Sequence, residues 1–147
     1  MLDRHLHPRI KPMLNTLVAA LDKPFITPDG VTLVGFAVGV LALPFLALGW
    51  YPAALFAILV NRLMDGLDGA LARRRGLSDA GGFLDIALDF LFYALVPFGF
   101  ALAAPAENAL AAAWLLFAFI GTGSSFLAFA ALAAKHNIDN PGYAHKS

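Results

Sequence analysis

Thirty consecutive residues, Val31 to Val60, carry no charged side chain. A second charge-free run covers Asn108 to Ala134, and between Ala80 and Ala106 the only charges are Asp85 and Asp89. A hydrocarbon core about 30 Å thick takes ~20 apolar residues of helix to cross. The first run is interrupted by Gly49-Trp50-Tyr51-Pro52, a turn whose aromatic residues suit a membrane interface. The pattern predicts four helical spans, near residues 31–49, 53–73, 81–104 and 109–134. The second is tolerable in a membrane only if its polar end, from Asn61 onward, faces protein or water. Composition agrees: 60% of residues are hydrophobic and 14% charged, where a soluble domain has about a quarter charged. Disorder is excluded, because it requires low hydrophobicity and high net charge.

The expected fold class is therefore an all-α integral membrane protein, one membrane domain over residues 1–147. Residues 1–30 form an N-terminal segment, 31–134 hold the spans, and 135–147 make a polar tail. In the N-terminal segment, Ile10, Met13, Leu14, Leu17, Val18 and Leu21 form one helical stripe. Flanking basic residues mark this as an interfacial amphipathic helix rather than a cleavable signal. Thr27-Pro28 then fits a helix start, with Thr27 as cap and Pro28 in the first turn. Ten basic and ten acidic residues cancel, so no basic footprint for nucleic acid exists. The absence of cysteine removes thiol nucleophiles and thiolate metal sites.

The cations lie on one side. Arg4, Arg9, Lys11 and Lys23 precede the first span, Arg73, Arg74 and Arg75 follow the second, and Lys135 and Lys146 follow the fourth. The two other links contain only Glu107. With four spans, the positive-inside rule puts both termini and the Arg73–Arg75 link in the cytoplasm, as expected for a protein of a cell (inner) membrane.

The functional signal is acidic. Asp65 and Asp68 are three residues apart, Asp85 and Asp89 four apart, so each pair shares a helix face. The two spans are antiparallel and the faces can meet. One Asp at a helix centre costs ~2.5–3.5 kcal/mol to insert, and four converging carboxylates repel unless cations neutralise them. Oxygen-only ligands favour hard divalent ions, Mg²⁺ or Mn²⁺, and two such ions balance four carboxylates. The bland reading pairs the acids with Arg62 and Arg73–Arg75 at the interface. It suits Asp65 and Asp68 better than Asp85 and Asp89, which have no cation nearby in sequence. Asp79 reads as a solvated link residue.

These residues form the pattern D-x-x-D-G-x-x-A-R from Asp65 to Arg73, followed by G-x-x-x-D-x-x-x-D from Gly81 to Asp89. The 25-residue stretch resembles the signature of the CDP-alcohol phosphatidyltransferase family. Two departures stand out. Seven residues separate Arg73 from Gly81, where the usual pattern has eight, and the family usually has six membrane helices where four fit here. The tail after Lys135 reads as a connector to further helices.

The resemblance implies a metal-dependent enzyme of phospholipid synthesis. It transfers a phosphatidyl group from a CDP-linked lipid, such as CDP-diacylglycerol, to an alcohol with release of CMP. It implies Asp65, Asp68 and Asp85 as metal ligands, and Asp89 as both ligand and general base. Gly69, Ala72 and Gly81 would line the nucleotide pocket, and Arg73 would contact the diphosphate or nucleotide. Helix packing is the plain alternative for the small residues. Asn61 and Arg62 lie one turn before Asp65. Arg62 either binds a phosphate on the acceptor or neutralises Asp65 or Asp68, and spacing does not choose. Nor does sequence choose among glycerol phosphate, serine, inositol phosphate and a phosphatidyl lipid as acceptor.

The implied partners are the lipid donor, the alcohol, membrane lipid and a second copy of the chain. Gly35/Gly39 and Gly121-Thr122-Gly123-Ser124-Ser125 fit close helix packing first and a dimer face second. His5, His7, His136 and His145 have no metal-site spacing, and Ser124 and Ser125 have no partner histidine for hydrolysis. Three rival readings are a membrane prenyltransferase, a cation pathway lined by the acids, and an inactive or truncated family member.

Overall fold

The computed structural model of the chain describes residues 16–20 and 22–135. Among these the regular structure is helical, in five elements: α1 (Pro28–Val40), α2 (Ala42–Ala47), α3 (Tyr51–Arg75), α4 (Asp79–Ala103) and α5 (Pro105–Lys135). Residues 16–20 are also helical. The rest of the amphipathic segment, with Ile10, Met13, Leu14 and Leu21, lies outside the described residues, as do the four histidines and the polar tail.

The cap expected at Thr27 is present. Its Oγ1 accepts from the Gly30 N–H at 3.1 Å, and Pro28 occupies the first turn of α1. The first span is broken, contrary to the single helix expected over 31–49. Pro44 has no N–H to give the Val40 carbonyl, and its ring crowds that carbonyl. The chain tightens at Leu41, whose N–H bonds Val38 instead, and restarts as α2. Gly49, with φ of 73°, then makes the turn into α3. Gly76, at φ 105°, ends α3, and the Ser78 Oγ caps α4 by accepting from Gly81 at 3.0 Å. Both glycines adopt backbone conformations that side chains disfavour.

Among the described residues, three segments are long and apolar enough to cross a membrane: Pro28–Ala47, Asp79–Ala103 and Pro105–Lys135. The 25-residue α3 is long enough, but its second half carries Arg62, Asp65, Asp68 and three terminal arginines. It is the most polar of the long helices, and its acidic face lines a cleft together with residues of α1 and α4. α1 packs mainly on α3, α2 on α4 and α3, and α4 on α1 and α5. The outer surface is greasy: Leu110, Trp114, Phe117 and Ile120 on α5 are all exposed. A lipid solvent accommodates such a surface. The chain is an integral membrane protein.

Two packing features position the polar face. At one end, Val18, Val31, Leu67 and Leu71 form a buried cluster that ties residues 16–20 to α1 and α3. Arg75 ties the same end from outside. Its guanidinium bonds Asp22 Oδ1 at 2.8 and 2.9 Å, the Lys23 carbonyl at 2.7 Å, and the Ile26 carbonyl. Near its C-terminal end, α1 meets α3 and α4 through Gly39. A methyl group on Gly39 would lie 2.8 Å from Asn61 Nδ2 and 2.9 Å from the Phe92 ring, whereas one on Gly121 would meet nothing within 4 Å.

Gly39→Ala should therefore lower stability by about 1–3 kcal/mol through overpacking. Gly121→Ala should not destabilise, and the better helix propensity of alanine should add up to about 1 kcal/mol. Thermal unfolding of the two variants in detergent checks this. Equal midpoints would show that α1 does not approach α3 and α4 this closely.

Candidate active site

α3 and α4 run antiparallel across the short link at residues 76–78. The helical period aligns Asp65 and Asp68 on one face of α3, and Asp85 and Asp89 on one face of α4. α1 supplies the third wall. The cleft between them is lined by Thr32, Gly35 and Phe36 from α1, Asn61, Arg62, Asp65 and Asp68 from α3, and Asp85, Leu88 and Asp89 from α4.

The four acids are not equivalent. One carboxylate oxygen from each of Asp65, Asp68 and Asp85 lies within 4.8 Å of the others. Asp68 is the deepest, 3% exposed, and its Oδ2 lies in hydrogen-bond contact with Thr32 Oγ1. The same hydroxyl is 3.1 Å from the Pro28 carbonyl, so its single proton serves one acceptor at a time. Asp89 faces the same cleft but belongs to a different contact. Its Oδ1 accepts from Arg62 NH2 at 2.7 Å, and its Oδ2 is 3.4 Å from the Tyr93 hydroxyl. Expectation had all four carboxylates converging. Three converge and the fourth is held by a guanidinium.

Arg62 is held by several partners although its side chain is 30% exposed. Asn61 Oδ1 accepts from Nε at 3.0 Å and from NH2 at 2.7 Å, and Tyr93 accepts from NH1 at 3.0 Å. Asp65 Oδ2 lies 3.7 Å from NH1. The guanidinium stacks over Phe92 and Tyr93, 4.7 and 5.1 Å from the ring centres, a cation–π arrangement. Asn61, 5% exposed, also donates to the Gly35 carbonyl at 2.9 Å. It thus cross-links α1 to α3 and sets the Arg62 plane in one side chain.

The other sequence-predicted residues lie outside this lining. Gly69 and Ala72 continue the acidic face of α3 toward its end, four residues after Asp65 and Asp68 respectively. Gly81 precedes Asp85 by one turn on α4. Its Cα hydrogens point at Asp29 Oδ1 and Ser78 Oγ, each 2.9 Å from where a methyl carbon would be. The small residues thus lead from the aspartates toward the link. Arg73 is exposed, with NH1 beside Gly69. Sequence reasoning missed Thr32 and Tyr93. Thr32 is 36 residues from its partner Asp68, which no periodicity connects. Tyr93 did carry a signal: it is four residues after Asp89, on the same helix face.

Comparison with known proteins decides the family. The model of the CDP-alcohol phosphatidyltransferase family matches residues 25–145. The chain belongs to the CDP-alcohol phosphatidyltransferase family. It is 84% identical over 147 residues to the inner membrane protein YnjF of Escherichia coli (strain K12), spanning all of this chain and 71% of that protein. It is 38% identical over 98 residues to the archaetidylinositol phosphate synthase of Pyrococcus horikoshii, spanning 66% of this chain and 52% of that enzyme. No solved structure matches the chain. The family is one of divalent-cation-dependent phosphotransferases, and the Asp65–Asp68–Asp85 cluster lies within the matched residues.

The donor chemistry of the cleft fits a hard cation. Its ligands are oxygens alone, and one guanidinium stands against four carboxylates. Asn61→Ala should cost about 1–3 kcal/mol, because the buried Gly35 carbonyl and the Arg62 N–H groups lose their partner. Chemical or thermal unfolding measures it. A change below about 0.5 kcal/mol would mean that the cross-link between α1 and α3 is not formed.

Proposed function

We propose that this chain transfers a phosphatidyl group from a CDP-linked lipid, CDP-diacylglycerol in the first instance, to an alcohol hydroxyl, releasing CMP. The observation carrying this reading is the approach of Asp65, Asp68 and Asp85 to within 4.8 Å, beside Asp89, in one cleft between membrane helices.

In this reading the acceptor oxygen attacks the lipid-bearing phosphorus. A new P–O bond forms to the acceptor, and the P–O bond to CMP breaks. The acceptor proton passes to the Asp89 carboxylate and from there to water, and CMP carries away the bonding electron pair. Asp65, Asp68 and Asp85 would hold divalent cation, Mg²⁺ or Mn²⁺, with Asp89 completing a two-ion site. Such ions supply neutralisation of the diphosphate and of the departing CMP oxygen. Gly69, Ala72 and Gly81 are the nucleotide-pocket candidates: Gly69 and Ala72 keep the α3 surface low beside the acids, Gly81 lies against Asp29 and Ser78, and Arg73 reaches the diphosphate from the exposed end of α3. Asn61 and Arg62 border the cleft beyond Asp89 and are the candidates for orienting the acceptor. The half-buried cleft suits the reaction: the lipid donor arrives from the bilayer, the alcohol and CMP exchange with water.

The test is CMP release from purified protein in lipid, given CDP-diacylglycerol, Mg²⁺ or Mn²⁺ and a panel of alcohols. Because one relative is named an archaetidylinositol phosphate synthase, inositol phosphate heads the panel. Release should need both divalent cation and acceptor, and Asp89→Asn should lower its rate by about 10²–10⁴-fold, the usual worth of a general base. No release with any acceptor, from folded protein, would reject the reading.

The reading also carries an orientation, with the Arg73–Arg75 end and the cleft toward the cytoplasm. The chain has no cysteine, so single cysteines report cleanly. Arg74→Cys should react with an impermeant maleimide only in inverted bacterial membrane vesicles, and Ala106→Cys only in intact cells. The opposite pattern would invert the topology.

A further inference from the structure

The contact between Arg62 and Asp89 makes these two residues more than a binding pair. The guanidinium donates four hydrogen bonds, two to Asn61 and one each to Asp89 and Tyr93, and forms an ion pair with Asp65 at 3.7 Å. Two aromatic rings flank it. A side chain so fully engaged is not a free fork waiting for an anion. It already performs the work of a cation, neutralising the one acid that stands apart from the Asp65–Asp68–Asp85 cluster.

We propose that Arg62 is a built-in cation that occupies Asp89, so that divalent ions enter the pocket in sequence, the first at the three-aspartate cluster and the second only when Arg62 yields Asp89. The inference rests on the two-ion reading above. Arg62 acts through Asp89 and is a positioning residue. The physical basis is competition for one carboxylate. A second ion bound through Asp89 must displace a 2.7 Å charge-assisted hydrogen bond. It must also settle near a fixed positive charge in a half-buried site, where water screens poorly. The first ion meets less opposition, because Arg62 reaches only Asp65 of its three ligands, at 3.7 Å. Tyr93 is part of the device. Its hydroxyl bonds Arg62 at 3.0 Å and its ring lies against the guanidinium, so it steadies Arg62 in the position that holds Asp89. Once displaced, the guanidinium has donors to offer an anionic group at the rim of the cleft.

The test is direct metal binding, independent of turnover. Purified protein in phosphatidylcholine nanodiscs is titrated with Mn²⁺, and free Mn²⁺ is followed by its electron paramagnetic resonance signal. The parent should bind one ion tightly and a second more weakly. Arg62→Gln should tighten the second by about tenfold, the effect of removing one positive charge at close range in a partly buried site. Tyr93→Phe keeps Arg62 and all four acids, and should tighten it by about threefold, because the hydroxyl's contacts with Arg62 at 3.0 Å and with Asp89 at 3.4 Å are both lost. Arg74→Gln, removing an exposed arginine outside the cleft, should change neither ion. If Arg62→Gln fails to fold by circular dichroism, Tyr93→Phe alone decides. Two ions of equal affinity in the parent, or a second-ion affinity unmoved in both cleft variants, would overturn the proposal while leaving the two-ion site standing. No Mn²⁺ bound by the folded parent would overturn the metal-site reading itself, and this inference with it.

Discussion

Carboxylates brought together between membrane helices cannot be left to themselves. Asp65, Asp68, Asp85 and Asp89 share one cleft, and among the described residues the side chain of Arg62 is the one guanidinium that lines it. Mutual repulsion and partial desolvation both oppose this arrangement. Much of the fold can be read as a frame that enforces it. α3 and α4 are joined by the short link at residues 76–78, α1 packs on both of them, and Thr32 of α1 closes the third side against Asp68. The deficit of positive charge is what a divalent cation would fill.

The frame depends on close approach rather than on a large apolar core. Gly39 lets Asn61 and Phe92 reach the α1 backbone, and Gly123 lets the Phe90 ring lie against α5, 2.7 Å from where a methyl carbon would be. Without a strong hydrophobic drive between helices in lipid, such contacts and a few interhelical hydrogen bonds do much of the fastening. Asn61 shows the economy of this scheme. One buried amide holds the Gly35 carbonyl of α1 and orients Arg62, and through Arg62 it bears on Asp89. A packing residue and a site residue are the same side chain here.

Much of this was legible in the sequence, for identifiable reasons. Charge-free runs report spans directly, since a charge in hydrocarbon is costly, and the i, i+3 and i, i+4 spacing of the aspartates states their common face. The motif from Asp65 to Asp89 pointed to the family, and the match over residues 25–145 established it. Contacts between distant segments were not legible. The Thr32–Asp68 contact and the anchoring of Arg75 on Asp22 join residues 36 and 53 positions apart. The break at Leu41 was encoded in Pro44 but masked by the uniform hydropathy around it. The spacing of the acids carries no sign that Asp89 turns to Arg62. That choice is made by the guanidinium's reach and by the aromatic pair Phe92 and Tyr93 that shelves it.

The central claim is that the three converging aspartates hold a divalent cation. Anomalous diffraction from crystals soaked in Mn²⁺ tests it most directly, because the element itself is located. The account predicts an anomalous peak among the carboxylates of Asp65, Asp68 and Asp85, lost when Asp68, the most deeply buried of them, is replaced by Asn. Well-ordered carboxylates with no peak between them, or Mn²⁺ bound only elsewhere on the protein, would contradict it.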